Sequence, residues 1–326
     1  MSLNPASSES SVCWAMSLLR DTIAACLLAV LAAIPLAGAQ PTQPHREEDC
    51  GEIERNYELV KAEAVSVQTN IALFAAADRG CEALAHKLLD AGGSLLARDR
   101  RGAMALAHAA RAGQPKLVEY FLAEGAPIDA RNVDGGTALF AAAEGEKHST
   151  VALLLAKGAD PNLTGRSGLT PLIAAAFKGN DRIVETLIAH GADAKARDAT
   201  GKAAIVYAAS RGFDDIVRRL LDAGIDAQTR YANNLTALMW VAGHDEGVGA
   251  AAIERVIDLL LANGAALDAA DNRGRTALMI ASALGDASTV DILMRHGADR
   301  ALKDKDGKTA LDLAANADVR AKLAGK

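Results

Sequence analysis

One glycine position recurs along most of this chain, and its spacing limits what the chain can fold into. Five of the six intervals in the series are 33 residues, and the remaining interval is 40 residues. The series comprises Gly102, Gly135, Gly168, Gly201, Asn234, Gly274 and Gly307. A fixed period of this size indicates an array of equivalent units that pack against their neighbours instead of around one central core.

The unit is clearest in residues 168–193, where two short amphipathic segments flank Gly179. Thr170 and Pro171 open the first segment. A threonine hydroxyl caps free backbone N–H groups, and proline suits the first turn of a helix. Gly191 closes the second segment, since glycine readily adopts the left-handed conformation that ends many helices. Each unit is therefore predicted to be a helix-turn-helix pair.

The same residue types return at these positions in the other units. The threonine position is filled by Thr137, Thr170, Thr236, Thr276 and Thr309. The aliphatic position two residues later is filled by Leu73, Leu106, Leu139, Leu172, Ile205, Leu238, Leu278 and Leu311. The closing glycines are Gly92, Gly125, Gly158, Gly191, Gly224, Gly264 and Gly297. We expect the aliphatic residues to be buried between units and the glycines to have positive φ angles.

These shared positions resemble the ankyrin repeat, whose motif runs G-x-T-P-L-H-x-A-A-x-x-G…V-x-x-L-L-x-x-G-A. The resemblance covers residues 66–326 and implies an all-α ankyrin-repeat solenoid with short β-like finger turns. It divides the chain into about seven full repeats and a short C-terminal cap. The expected boundaries are 66–98, 99–131, 132–164, 165–197, 198–230, 231–270, 271–303 and 304–326.

Repeats 1, 2 and 5 lack the threonine, because Ile71, Met104 and Ala203 stand in its place. Without the hydroxyl, the first backbone N–H groups of these helices lose one capping partner. We therefore expect these repeats to exchange amide hydrogens faster than fully capped repeats such as repeat 4.

Residues 1–39 have the features of a cleavable export signal. Arg20 precedes an apolar run at 23–34, and the small residues at 37–39 form an Ala-x-Ala cleavage site. We predict cleavage after residue 39, and a translation start at Met16 would give the leader an ordinary length. Two alternatives remain open, namely an uncleaved membrane anchor and a lipoprotein attached through Cys26.

The Ala-rich composition and the leader favour a bacterial source, so export would deliver the chain to the periplasm. Cys50 and Cys81 remain after cleavage, and an oxidising compartment allows them to form a disulfide. The alternative is one exposed and one buried free thiol. The sequence leaves both alternatives open, because the distance between the two Cα atoms decides between them.

Residues 40–65 are predicted to form a linker followed by a capping helix. Residues 40–50 are polar and contain two prolines, which suits a linker. From Glu52 onward, apolar residues recur at the three- and four-residue spacing of a helix. These residues are Ile53, Tyr57, Val60, Ala64 and Val67. We expect this apolar face to cover the outer side of repeat 1, which has no preceding neighbour.

The chain carries a formal net charge of −6, which argues against nucleic acid as its main partner. It has none of the common motifs for nucleophilic, phosphate-binding or metal-dependent catalysis. One group of possible ligands, His244-Asp245-Glu246, lies in repeat 6, which is seven residues longer than the others. This insertion is either a metal or substrate loop or a solvated polar loop. We expect neither a metal nor a cofactor.

In the family that the chain resembles, positions four, seven and eight after the threonine face the concave surface. Phe177, Tyr207 and Trp240 occupy such positions in successive repeats, although aromatic residues make up only 3% of the chain. Tryptophan, tyrosine and arginine are enriched in binding hot spots, so we predict a protein-contact patch here. The other predicted contact residues on this face are Lys178, Arg211, His108 and Arg111. The alternative is that the rings pack against neighbouring helices.

A second candidate surface is a row of basic residues at the turn tips. The row comprises Arg98, Arg131, Arg197, Arg230 and Lys303. These residues either form a stripe for an acidic partner or are neutralised by the aspartates Asp99, Asp198 and Asp304 that follow three of them. Tyr231 lies at a tip next to the aromatic residues and is predicted to extend their patch.

We therefore expect a monomeric, non-catalytic module that binds a protein partner in the periplasm and leaves the membrane after signal cleavage. One role is a scaffold or stabiliser of an envelope protein such as an enzyme. A second role is an inhibitor, for example an immunity protein that occludes an exported toxin. The alternative from a different class is an enzyme with its site at the repeat 6 insertion.

Overall fold

A computed structural model describes residues 44–61, 66–244 and 247–325 of the chain. Within those ranges every regular element is a helix, and there is no β-strand. A first helix, α1, spans Pro44–Val60 and precedes the repeats. The predicted signal peptide, residues 1–39, lies outside the described residues.

In the described part of the chain, eight helix pairs follow α1 and coincide with the predicted repeats and C-terminal cap. The pairs are α2 (Ser66–Arg79) and α3 (Glu82–Asp90), α4 (Ala105–Ala112) and α5 (Pro115–Ala123), α6 (Ala138–Glu144) and α7 (His148–Ala156), α8 (Pro171–Lys178) and α9 (Asp181–Ala189), α10 (Ala204–Ser210) and α11 (Asp214–Asp222), α12 (Ala237–Ala242) and α13 (Ala250–Ala262), α14 (Ala277–Leu284) and α15 (Ala287–Arg295), and α16 (Ala310–Leu313) and α17 (Ala317–Ala324).

The helix pairs stack into two layers. Each first helix contacts the first helix of the next pair, and each second helix from α5 onward contacts the next second helix. We call the surface formed by the first helices and the finger turns the concave face, following the resemblance to ankyrin repeats. The array therefore grows in one direction, and each repeat is stabilised by its two neighbours.

Burial of the recurring aliphatic residues holds the stack together. The residue two positions after the threonine position is at most 2% exposed in repeats 1–7, as in Leu139 and Ile205. Burying one such side chain stabilises the fold by about 1.5–3 kcal/mol. Leu311 occupies the same position in the last described repeat and is 41% exposed.

The predicted threonine caps are confirmed. The hydroxyl of Thr170 accepts a hydrogen bond from the backbone N–H of Ile173 at 3.2 Å. The same bond, to the residue three positions on, is made by Thr137, Thr236, Thr276 and Thr309. Met104 and Ala203 sit at the same N-cap position and make no such bond. Repeat 1 differs from the expectation, because α2 begins at Ser66, five residues before Ile71, and Ile71 lies within it.

The finger turns between repeats contain no strands but share some backbone hydrogen bonds. The N–H of Val133 donates to the carbonyl of Arg101 at 2.9 Å, and the N–H of Ala199 donates to Ser167 at the same distance. Asn234 takes the position that glycine holds in the other fingers, with a φ of 63°. Asparagine tolerates this left-handed conformation better than other non-glycine residues, which explains the substitution.

Helix α1 begins at Pro44, so the predicted linker at 40–50 extends too far and the helix starts well before Glu52. A proline at the first helical position loses no hydrogen bond, and it therefore begins this helix instead of preventing it. Tyr57 is buried and Ile53 packs against the core, as expected for a cap over repeat 1.

Two residues of the predicted apolar face do not pack in this way. Val60 and Val67 are exposed. The reason is that α1 ends at Val60 and a new helix begins at Ser66, so the helical periodicity is not continuous across them. Ala64 lies outside the described residues.

A disulfide joins α1 to repeat 1. Cys50 in α1 and Cys81 just before α3 are bonded, with their Cα atoms 5.6 Å apart. Lys87 adds ion pairs to Glu54 at 2.7 Å and to Glu58 at 2.8 Å. A cross-link over a sequence separation of 31 residues stabilises a fold by about 3 kcal/mol through the unfolded state. The cap helix is therefore held both covalently and by packing.

The uncapped repeat 5 supplies a direct test of capping. We expect Ala203→Thr to restore the missing hydrogen bond and stabilise repeat 5 by about 1 kcal/mol. Amide hydrogen exchange in α10 should slow by about fivefold. Ala189→Thr is the control. Ala189 is exposed at the C-terminal end of α9, where the backbone has no unpaired N–H groups for a threonine to cap. Equal exchange rates in the wild type and Ala203→Thr would contradict this account of helix capping.

Candidate functional site

Three aromatic side chains form one cluster on the concave face. Phe177 lies in the last turn of α8, Tyr207 lies in α10 and Trp240 lies in α12. The rings of Phe177 and Tyr207 meet edge to face with their centroids 5.8 Å apart. Phe177 is 42% exposed, whereas the other two rings are half-buried. The sequence posed partner contact and packing as alternatives. The rings do pack against a neighbouring repeat, while contact with a partner stays a prediction.

Cationic groups lie over the rings of this aromatic cluster. The guanidinium of Arg211 is 4.3 Å from the ring centroid of Phe177 and donates to the Phe177 carbonyl at 2.8 Å. The ammonium of Lys202 lies 4.7 Å from the Trp240 ring centroid and 5.5 Å from that of Tyr207. Such cation–π contacts contribute about 0.5–1 kcal/mol at exposed sites. Lys178 is exposed at the end of α8.

Lys202 is the residue of this site that the sequence did not single out. It lies in the finger, one residue before the N-cap, and not at one of the helix positions that face the concave surface. Its position before the N-cap would place it next to this surface, but only the structure relates it to both rings. The cluster therefore combines one predicted cation, Arg211, with one that was missed, Lys202.

A cavity of about 110 Å³ lies among these side chains. It is lined by Phe177, Lys202, Tyr207, Ser210, Arg211 and Trp240. Small-molecule sites usually enclose at least about 300 Å³, so this cavity suits one side chain of a larger partner. The indole N–H of Trp240 is buried and has no hydrogen-bond acceptor among the described residues.

Asp198 fixes the orientation of Tyr207. The Tyr207 hydroxyl donates to Asp198 at 2.5 Å, and Thr200 donates to the same carboxylate through both its N–H and its hydroxyl. Burial raises the pKa of Asp198, but these hydrogen bonds outweigh it and hold the pKa below its usual value. Burial and the bond to Asp198 raise the pKa of Tyr207 to about 12. Tyr207 is therefore a neutral and firmly held donor.

His108 and Arg111 belong to a different network, between repeats 1 and 2. One nitrogen of the His108 ring is 2.9 Å from Asp78, and the other is 3.2 Å from Asp99. Arg111 pairs with Asp78 at 3.0 Å. The side chain of His108 is only 11% exposed and lies between these two carboxylates, so its predicted contact role has no support here and stays a prediction. Arg111 remains half-exposed beside Asp78.

Tyr231 does not extend the exposed aromatic patch as predicted, because it is buried. Its side chain is only 7% exposed, and the guanidinium of Arg197 covers its ring at 5.1 Å from the centroid. Burial raises the pKa of Tyr231 to about 12. Tyr231 replaces the aspartate or asparagine that begins most fingers, and here its ring serves packing.

The arginines at the turn tips link successive repeats. Arg98 donates to the backbone carbonyl of Arg131 at 2.7 Å, and Arg131 donates to the carbonyl of Thr164 at 2.8 Å. The same bond runs from Arg197 to Arg230 and from Arg230 to Ala270. Within the described residues these arginines bond to carbonyl oxygens of the next repeat and not to the aspartates, so neutralisation by Asp99 and Asp198 is not observed and the basic stripe stays a prediction. We call this row the arginine ladder.

The repeat 6 insertion is partly helical. Helix α13 has 13 residues, against nine in α11, so some of the added residues lengthen this helix. His244 lies 2.7 Å from Asp286, which caps α15. Burial raises the pKa of Asp286, but bonds from Ser288, Thr289 and His244 outweigh it and hold the pKa well below its usual range. Asp245 and Glu246 lie outside the described residues.

Neither a metal-binding cluster nor a membrane-spanning helix is found in the part of the chain that the structure describes. No group of three or more histidine, cysteine, aspartate or glutamate side chains there has the arrangement to hold a metal ion. None of the helices in the same ranges has both the length and the apolar character to cross a bilayer.

Stacked helix pairs with threonine caps, glycine closures and linked fingers define a helical repeat solenoid. The family model described as ankyrin repeats in three copies matches residues 73–165, 106–198, 147–231, 172–250 and 248–323. These segments cover most of the chain, which therefore belongs to the ankyrin-repeat family. Proteins of this family generally act as non-catalytic scaffolds for protein–protein interaction.

A solved structure agrees with this assignment. The ankyrin repeat domain of human ASB11 is 25% identical in sequence and superposes with a TM-score of 0.58. The match covers 67% of this chain and 95% of the ASB11 chain. Comparison with curated proteins gives no significant match.

The arginine ladder makes a prediction about stability. We expect Arg131→Met to destabilise the array by about 1 kcal/mol, because the carbonyl oxygens of Gly135 and Thr164 lose their donor. Urea unfolding followed by circular dichroism measures the change. Arg100→Met serves as the control, since Arg100 is exposed and lies outside the ladder. A ladder variant as stable as this control would show that the arginine bonds contribute nothing.

The Tyr207–Asp198 bond makes a prediction about acid stability. The folded pKa of Asp198 is below its usual value, so its contribution is present above the unfolded pKa and is lost as pH falls through the folded pKa. We expect Tyr207→Phe to raise the folded pKa of Asp198 and move acid unfolding to higher pH. Carboxyl NMR titration and circular dichroism measure both effects. Tyr120→Phe should leave both unchanged.

Proposed function

We propose that this chain is a non-catalytic, protein-binding module of the bacterial periplasm, which binds its partner on the concave face of repeats 4–7. The observation that carries the proposal is the exposed aromatic cluster of Phe177, Tyr207 and Trp240. Apolar clusters left at a surface commonly mark interaction sites, and membership of the ankyrin family makes a protein the expected partner.

The apolar surface continues beyond the aromatic cluster into repeat 7. Leu284, at the end of α14, is 63% exposed, and Ile280 is half-buried one turn before it. Both approach Gly243, where a Cβ atom would lie 3.6 Å from Ile280 and 3.9 Å from Leu284. The surface is therefore a stripe across several repeats, as suits a macromolecular partner.

Two observations support the periplasm. The sequence of residues 1–39 has the order of a positive region, an apolar run and a small-residue cleavage site. Cys50 and Cys81 are disulfide-bonded, and such bonds are rare in a reducing cytosol. An envelope protein that this module holds or stabilises would be the partner in that compartment.

The test is affinity capture from the envelope fraction of the source cells, using the full chain expressed with its own leader. The binding variant is Phe177→Ala/Leu284→Ala, which removes two exposed side chains without opening a core cavity. The matched control is Leu59→Ala/Leu96→Ala, which removes two exposed leucines elsewhere. We expect the binding variant to lose the partner by about tenfold or more, and the control to retain it.

Two results would overturn parts of the proposal. If the binding variant and the wild type captured the partner equally well, the concave stripe would not be the interface. Recovery of the wild-type chain from the cytosol, with the thiols of Cys50 and Cys81 accessible to alkylation, would contradict the periplasmic location. The two parts are measured separately, so one can fail while the other stands.

A further inference from the structure

Cationic side chains lie at the aromatic cluster, although the chain as a whole is acidic. The chain carries a net charge of −6, yet Lys202 and Arg211 lie over the rings and Lys178 is exposed next to Phe177 at the end of α8. Within the described residues, Lys178 and Lys202 form no ion pair with a carboxylate. The carboxylate of Asp198 is buried and accepts hydrogen bonds from Tyr207 and the adjacent finger.

The ammonium group of Lys202 lies at the cavity that a ligand would enter. It lines the cavity together with Tyr207 and Trp240, and its ammonium lies over both rings. A carboxylate that reaches this cavity meets the ammonium, while an apolar neighbour of that carboxylate can pack against the rings. Attraction between opposite charges in a partly desolvated groove fixes orientation and speeds association.

The dimensions of the surface favour an extended segment. The cavity of about 110 Å³ accepts one side chain, and the apolar stripe continues to Ile280 and Leu284 two repeats further on. A chain in extended conformation can place side chains at both ends of such a stripe. A compact small molecule would fill only the cavity.

Nucleic acid is the main competitor, because aromatic rings and lysines also bind single strands by stacking and charge. The net charge of −6 opposes a polyanion with one negative charge per nucleotide. A peptide with a few carboxylates between apolar side chains meets the local cations without the same long-range repulsion. The observations therefore favour a peptide.

We propose that the concave face of repeats 4–7 binds an extended, acidic peptide segment of the partner protein. One aromatic or long aliphatic side chain of that segment occupies the cavity between Tyr207 and Trp240, and its carboxylates lie beside Lys178 and Lys202. The indole N–H of Trp240, which lacks an acceptor, gains one after a small rotation of the ring toward the bound segment. This inference rests on the proposed function and adds the chemistry of the partner.

The test is selection of a randomised 12-residue peptide library, displayed on phage, against the immobilised full chain. We expect recovered peptides to be enriched in aspartate and glutamate around an aromatic or long aliphatic residue. Fluorescence polarisation then gives the affinity of the recovered peptides. We expect Lys178→Met/Lys202→Met to weaken binding by about tenfold, since two charge contacts are lost. Raising the salt concentration from 50 to 500 mM should weaken wild-type binding by about fivefold or more.

The control is Lys195→Met, which removes an exposed lysine from a turn after α9 and should leave affinity unchanged. Circular dichroism of each variant is used to check that its helix content equals that of the wild type. A 12-nucleotide single-stranded DNA is included as a competitor.

Several results would overturn the inference. These are recovery of basic or neutral peptides, no peptide above background, equal affinity of the double variant and the control, or displacement of the peptide by the DNA. Envelope capture that depends on Phe177 and Leu284 would still support the proposed function in the first three cases. A failure of the acidic-peptide inference is thereby distinguished from a failure of the concave-face interface.

Discussion

The stack depends on burying the aliphatic side of each helix pair against the next pair, because no element within one repeat can cover it. Leu139 and Leu172 are almost completely inaccessible between neighbours, while Leu311, at the same position in the last repeat, is 41% exposed. Other interactions adjust a structure that this burial makes possible. Threonine caps begin the helices, and the arginine ladder ties each finger to the next, yet neither removes much apolar surface from water.

The candidate binding surface is also part of the packing between repeats. Phe177 and Tyr207 meet across the boundary of repeats 4 and 5, and Lys202 touches the rings of repeats 5 and 6. A partner that covers these side chains would contact three repeats at once and strengthen the boundaries between them. The same side chains therefore serve both recognition and local stability. Leu284 differs from them, because most of its side chain is exposed and contributes less to packing between repeats.

The repeat boundaries, the threonine caps and the buried leucines could be predicted from the sequence, because each reflects a backbone or packing requirement that returns with the period. The aromatic positions could be predicted in the same way. Contacts between residues about 33 positions apart could not. The arginine ladder, the burial of Tyr231 under Arg197 and the position of Lys202 over two rings all depend on backbone or side-chain groups of another repeat. The start of α1 was missed because a proline can begin a helix as well as exclude one.

The two ends of the array differ in kind. At one end, the disulfide between Cys50 and Cys81 fastens α1 over repeat 1. At the other, α16 has only four residues, and a capping box at Thr309 and α17 close the stack without a covalent bond. In a linear array with one cross-linked end, unfolding begins more easily at the other end. Loss of structure in the described repeats therefore proceeds toward the N-terminus. A protease that cleaves opened chain would therefore remove α16 and α17 first and then repeats 7 and 6, and binding would be lost while α1 and the first repeats were still intact.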